Sequence, residues 1–216
     1  MTETSETPDT EEKHPSRGAA RKRAMMDCAW DILMESGFSG VTLNEVISRS
    51  GGSRTTLYEA FGGKDGLIAA VLAERCHEFS VELLIALETD LPPRDALTDF
   101  AIKLARKILS EDAIRITQIL LSEGHHFPGI TDTFLSSGPD CTTSRLASYL
   151  ERQAKTGAIM IDDPTHAAEI LVSMVQGQWL HRMLKKPPSP PVSDAEIAKR
   201  ATRAVDIFLG GVARNS

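Results

Sequence analysis

The 216-residue chain is 41% apolar and 25% charged, the composition of an ordinary soluble globular protein long enough to bury a sizeable core. Its longest apolar runs, such as 67–73, fall far short of the ~20 residues a membrane span requires, and its acidic, polar start lacks the apolar stretch of a secretory signal. The net charge of −6 speaks against nucleic acid when taken whole, but it is unevenly spread: residues 1–16 carry five acids and one lysine, whereas 17–66 carry seven bases and six acids.

Arg17, Arg21, Lys22 and Arg23 are bunched at the start of the second stretch. Phosphates respond to a local patch of this kind, because salt screens more distant charge beyond ~10 Å. The same run also suits a simple solvated face. Cys28, Cys76 and Cys141 are scattered, odd in number and without metal-ligand spacing. They fit a reducing, cytoplasmic setting and argue against a disulfide framework.

In chain order, residues 1–16 are polar and Pro-containing and are expected to be disordered. From Arg17 onward apolar residues recur at three- and four-residue spacing, with no convincing period-2 run. The expected class is therefore all-α, with about nine helices. Met25, Ala29 and Ile32, with Met26, Trp30 and Leu33 beside them, give the first helix a wide buried face that Gly37 ends. Thr42 followed by Glu45 reads as a capping box, with the hydroxyl on the third amide and the carboxylate reaching back to the cap amide. Val41 and Val46 stand where a hydrophobic staple belongs.

This second, short helix stops at Gly51 and Gly52, and Ser53 can cap a third that Gly62 and Gly63 close. A long amphipathic helix then spans about 64–87. Pro92, Pro139 and Pro164 each fit the first turn of a new helix, the last behind Asp163 as cap. Pro128 breaks the chain after His125, His126 and Phe127, and the proline-rich stretch 187–191 reads as a stiff linker.

Two short helices joined by a tight glycine turn, behind a longer one, form a tri-helical unit of the helix-turn-helix kind. In its third helix Leu57, Ala60 and Phe61 share one face and are expected to pack on Leu43, Val46 and Ile47. Arg54, Thr55, Tyr58 and Glu59 then point outward. An arginine at a helix start can reach guanine O6 and N7, and a threonine methyl can touch thymine. Thr42, Thr56 and Tyr58 suit phosphate oxygens, as do Lys64 and the first amides of the fourth helix.

Gly37, Phe38, Val41, Thr42 and Leu43, followed by Gly51, Ser53, Thr56, Leu57, Tyr58, Phe61, Lys64 and Leu67, resemble the signature of tetracycline-repressor (TetR-type) regulators without a gap. The resemblance implies DNA contacts from Thr42, Arg54, Thr55, Thr56, Tyr58 and Lys64, with Ser53 opening the reading helix. It also implies an all-α homodimer whose C-terminal domain binds an inducer and dimerises through its last two helices. Gly52 departs from the pattern, which usually has an apolar residue there, so a looser turn is expected. Glu59 is an unusual acid on the reading face; it suits cytosine N4 or plain solvent.

Behind the head, 119–128 is similar to a segment of some family members. The helix from 164 to about 185 is apolar on more than one side, with Ile170, Leu171, Met174 and Gln178 in one stripe and Val172, Val175, Trp179 and Met183 beside it. A helix buried on two faces suits one that lines a pocket and meets a partner. Ile197, Ala201, Ala204, Phe208 and Val212 line the last helix at helical spacing, and its alanines permit close helix approach.

The expected organisation is an extension (1–16), a helix-turn-helix DNA-binding domain (17–63) and a ligand-binding and dimerisation domain (64–216). The expected ligand contacts are His125, Met174, Gln178 and Trp179. The expected dimer contacts are Val172, Val175, Ala201, Ala204 and Phe208. Met174 and Trp179 suit core filling equally well, and adjacent His125 and His126 lack the spacing of metal ligands. No elbow, metal or clustered-acid motif points to an enzyme or a cofactor. The expected function is a cytoplasmic repressor released from a palindromic operator by a small, largely apolar inducer. The alternative is a DNA-binding or protein-interaction module with no inducer.

Overall fold

The computed structural model describes residues 17–177, 179–183 and 191–212, which form helices joined by turns, with no strand among them. The elements are α1 (Arg17–Gly40), α2 (Leu43–Ser50), α3 (Arg54–Phe61), α4 (Lys64–Ile85), α5 (Pro93–Ile108), α6 (Glu111–Glu123), α7 (Pro128–Ser137), α8 (Pro139–Lys155), α9 (Pro164–Gly177), α10 (Leu180–Met183) and α11 (Asp194–Val212). A 3₁₀ turn, Gly124–His126, joins α6 to α7. The extension 1–16 lies outside the described residues, as do Gln178 and most of the proline-rich stretch.

The all-α class expected from the sequence is the class found, and its local signals are well placed. Pro139 and Pro164 open α8 and α9, and the Asp163 carboxylate accepts from the His166 amide at 3.0 Å. Two details differ. Pro128 does more than break the chain, because it opens the separate helix α7. The helix expected to run from 164 to about 185 ends at Gly177; Trp179 sits in a turn before the single turn of α10.

Two apolar cores hold the chain together. The first joins Met25, Ile32, Leu33 and Phe38 of α1 to Val46, Leu57, Leu67, Ile68 and Leu72, and it takes in Ile116 and Ile119 of α6. Each such side chain contributes about 1.5–3 kcal/mol when fully buried. The second core joins α5, α8, α9 and α11 to the end of α4. So α4 and α6 reach into the N-terminal three-helix head at one end and the larger unit at the other.

Val172, Val175, Ala201, Ala204 and Phe208, expected at a seam between two copies, are instead buried in this second core of the same chain. The last helix packs on α5, where Arg94 meets Asp206 and Arg106 meets Asp194, both at 2.9 Å. Its apolar stripe is thereby consumed internally. The outward faces of α9 and α11 carry Ile170 and Ile207, which are 43% and 52% exposed.

Candidate nucleic-acid interface and internal cavity

The head is built by caps that the sequence encodes locally. Thr42 Oγ1 accepts from the Glu45 amide at 3.3 Å, and Ser53 Oγ accepts from the Thr56 amide at 3.1 Å. Only half of the expected capping box forms, because the Glu45 carboxylate takes the Arg49 guanidinium at 2.7 Å. Gly51 closes α2 in the left-handed conformation. The turn is not loosened by Gly52: a Cβ there would run into the buried Met25 methyl, so the side chain usual at this position is replaced by one from α1. Leu57 is fully buried, which fixes the rotation of α3 and leaves Arg54, Thr55, Tyr58 and Glu59 exposed on its outer face.

Arg54 does not hang free. Its Nη2 donates to Asn44 Oδ1 at 2.8 Å, a bond that aims the guanidinium from α2 and that the sequence did not suggest. Thr56 is half-buried, its hydroxyl 2.8 Å from that of Ser53. No side chain caps the start of α4, so its first amides remain available to an anion at the positive end of the helix dipole. Lys64 stands at that end with its ammonium 5.9 Å above the Phe127 ring. In the basic run, Arg17, Arg21 and Lys22 are exposed, whereas Arg23 is engaged by Asp27, Glu74 and Glu78.

The far end of α6 is keyed into the end of α1. The regular backbone of α1 breaks at Gly37, where φ is 72°. A Cβ at Gly37 would collide with the Glu123 carboxylate, which accepts from the Ser39 amide at 3.1 Å and the Ser39 hydroxyl at 3.0 Å. Arg115 donates to the Met34 carbonyl at 2.8 Å, one turn of α1 earlier. Phe127 packs on Phe38 at 5.4 Å between ring centres. The segment around Glu123 and Phe127, marked in the sequence by a likeness to some family members and by the break at Pro128, is the joint between the head and the larger unit.

A cavity of about 620 Å³ lies between α1, α4, α5, α6, α7, α8 and α9, within the size range of small-molecule sites. Trp30, Leu72, Phe79, Leu104, Ile116, Phe134 and Val172 supply its apolar wall, and Thr142, Thr117 and Ser173 add hydroxyls. Charged groups on the lining are Arg75, Glu78, Lys107 and Asp112. Arg75 stacks 5.3 Å from the Trp30 ring and donates to Glu78 at 3.1 Å and to Asp27 at 3.2 Å. Burial would raise the Glu78 pKa, but Arg75 and Arg23 outweigh it and hold this carboxyl below its ordinary value. Burial, with Cys141 adding to it, pushes the Cys76 thiol up to about 11.

The helix expected to line a pocket does so, but through other residues. From α9 the lining takes Val172, Ser173, Gln176 and Gly177. Met174 packs against the C-terminal core, and Trp179 is buried with the Arg200 guanidinium 5.0 Å over its ring. His125 is exposed, with its ring 3.8 Å from that of His126. The tryptophan at the cavity is Trp30. No group of three or more metal-ligating side chains occurs among the described residues.

A capped helix-turn-helix joined through shared helices to a larger, hollow helical unit defines the class: a DNA-binding transcriptional regulator. Residues 26–71 match the model of the TetR family of bacterial regulatory proteins, and residues 95–211 match that of the C-terminal domain of AefR-like transcriptional repressors. The chain belongs to the TetR family of transcriptional regulators. YvkB, a helix-turn-helix-type transcriptional regulator of Bacillus subtilis strain 168, is 23% identical over 161 residues, covering 74% of this chain and 82% of its own. The fold is shared with a chain from Mesorhizobium loti MAFF303099 described as a TetR-family transcriptional regulator, at a TM-score of 0.80 and 20% identity, covering 93% of this chain and all of the other. The flavonoid-responsive regulator FrrA superposes at a TM-score of 0.75 with 25% identity, covering 91% of this chain and 98% of its own. No described helix is long and apolar enough to cross a membrane.

Proposed function

We propose that this DNA-binding regulator is a homodimeric repressor, released from a palindromic operator by a small, largely apolar ligand in the cavity. The carrying observation is that α6 supplies Ile116 and Thr117 to the cavity wall while Glu123, at its other end, holds Ser39 of the head. A ligand that shifts α6 therefore shifts α1. In this reading residues 17–63 engage DNA and 64–216 hold the ligand and the partner subunit.

Arg54, Thr55 and Tyr58 meet bases and backbone in the major groove, while Thr42, Ser53, Thr56 and Lys64 serve phosphates. Half-sites lie about one helical turn apart, ~34–36 Å, or a multiple of it, so a small rotation of the heads weakens binding. The ligand must bind the released state more tightly than the DNA-bound one. The outward faces of α9 and α11, bearing Ile170 and Ile207, suit the seam between two copies. The cavity favours this reading over a module with no inducer, and a neighbour that responds to flavonoids supports ring-shaped ligands against walls formed by Trp30, Phe79 and Phe134. Selection of bound sequences from a random DNA pool, followed by a screen of metabolites for release, tests it. A chain that binds a palindromic site and is released by none of them would favour the inducer-free module.

A further inference from the structure

We infer that the cavity takes an uncharged aromatic ketone whose oxygen accepts hydrogen bonds from Thr142 and Arg75, an assignment that rests on the sensing role proposed above. Both residues line the cavity, and each buries a polar atom without a hydrogen-bond partner, Oγ1 of Thr142 and Nε of Arg75. Buried polar groups are almost always paired, so two orphans in one cavity wall mark where a ligand supplies what the protein does not.

Both atoms can donate. The Nε–H has no other role, and a threonine hydroxyl carries one donor hydrogen. The complementary ligand atom is therefore an acceptor. In a helix, threonine divides between two χ1 rotamers, so Oγ1 and the methyl of Thr142 can exchange places and turn the hydroxyl toward the cavity. Elsewhere the guanidinium of Arg75 is engaged, Nη1 by Glu78 and Nη2 by Asp27, leaving Nε as its one nitrogen without a hydrogen bond.

Charge decides between a ketone and a carboxylate. The lining carries Arg75 and Lys107 against Glu78 and Asp112, which cancel. Both cations are already paired, Arg75 with Asp27 and Glu78 and Lys107 with Glu82 at 2.9 Å. An anion would enter a cavity with no spare positive charge, at a desolvation cost that a neutral carbonyl avoids. Trp30, Phe79 and Phe134 supply aromatic surface for rings, and the Arg75 guanidinium lies 5.3 Å from the Trp30 ring.

Calorimetric titration of the full chain with flavanone, with flavan (the same frame without the carbonyl oxygen) and with flavanone-4′-carboxylate tests the assignment. Flavanone is expected to bind at least about fivefold more tightly than flavan, the worth of one neutral hydrogen bond, and more tightly than the carboxylate. Thr142→Val should lower that advantage by the several-fold worth of one neutral hydrogen bond, Thr142→Ser should keep it, and Thr142→Val should leave the ligand-free melting temperature unchanged or raised. Equal binding of flavanone and flavan, tightest binding of the carboxylate, or binding of none of the three would overturn the inference. Flavanone that binds as expected yet never releases DNA would leave the assignment standing and sink the sensing role instead.

Discussion

The Glu123 carboxylate accepts from both the amide and the hydroxyl of Ser39, joining the last turn of α6 to the end of α1 where Gly37 leaves the helical backbone. This bond joins the three-helix head to the larger helical unit rather than lying within either.

Glu123→Ala should therefore destabilise the chain by about 1–3 kcal/mol, the range for hydrogen bonds to a charged group at a partly exposed site. It should also weaken the effect of ligand on DNA more than it weakens DNA binding itself. Gly37→Ala should be as damaging, because its φ of 72° disfavours a side chain and the added Cβ meets the same carboxylate. Urea denaturation and operator binding with and without ligand check both. A Glu123→Ala chain that keeps full ligand response would remove this joint from the mechanism.

Arg54→Ala should cost about 1–3 kcal/mol at one cognate base pair and relax specificity there. Asn44→Ala should show the same pattern in milder form, since it frees the guanidinium that Asn44 holds at 2.8 Å. Lys64→Ala should weaken all sequences alike and reduce the salt slope by about one. Binding to matched and mismatched sites at several salt concentrations separates the two kinds of contact. An unchanged base preference in Arg54→Ala would move the reading residue elsewhere.

The caps at Thr42, Ser53 and Asp163 were legible because each acts on a residue three positions away, as were the buried faces of α1 and α3. Longer-range partners were not. Asn44 meets Arg54 across ten residues and Glu123 meets Ser39 across 84, and neither pair has a spacing rule to announce it. The departure at Gly52 made sense only once Met25 was seen beneath it. Periodicity showed that α11 has an apolar stripe but not which surface would cover it. For the same reason Trp179, on an apolar helix, looked like the pocket residue, whereas Trp30 of the head borders the cavity.

That reassignment of α11 gives a pair of neighbouring substitutions with opposite outcomes. Phe208→Glu places a charge in the core of the chain and should abolish folding, since loss of a buried phenylalanine alone costs about 3–5 kcal/mol. Ile207→Glu alters the exposed face and should leave a folded monomer that no longer binds the operator tightly. Circular dichroism and sedimentation at micromolar concentration distinguish them. A folded monomer from Phe208→Glu would restore the original seam.

Cys76 should resist alkylation at pH 8 in the native protein. A thiol with its pKa pushed up to about 11 stays protonated below that pH, so only about one molecule in a thousand carries the reactive thiolate at pH 8. Mass spectrometry after iodoacetamide treatment should find Cys76 modified far more slowly in the native chain than in the denatured one, and more slowly still when a ligand fills the cavity it lines. Rapid native labelling of Cys76 would contradict the burial that raises its pKa.

Trp30 borders the cavity while Trp179 is buried under Arg200, so a Trp179→Phe chain confines emission to the cavity wall. Titrating that variant, bound to its selected operator, with a releasing compound follows cavity occupancy by Trp30 emission and DNA release by anisotropy of labelled operator. Ligand release through this cavity predicts that the two signals change with one midpoint. Complete release of DNA with Trp30 emission unaltered would contradict it.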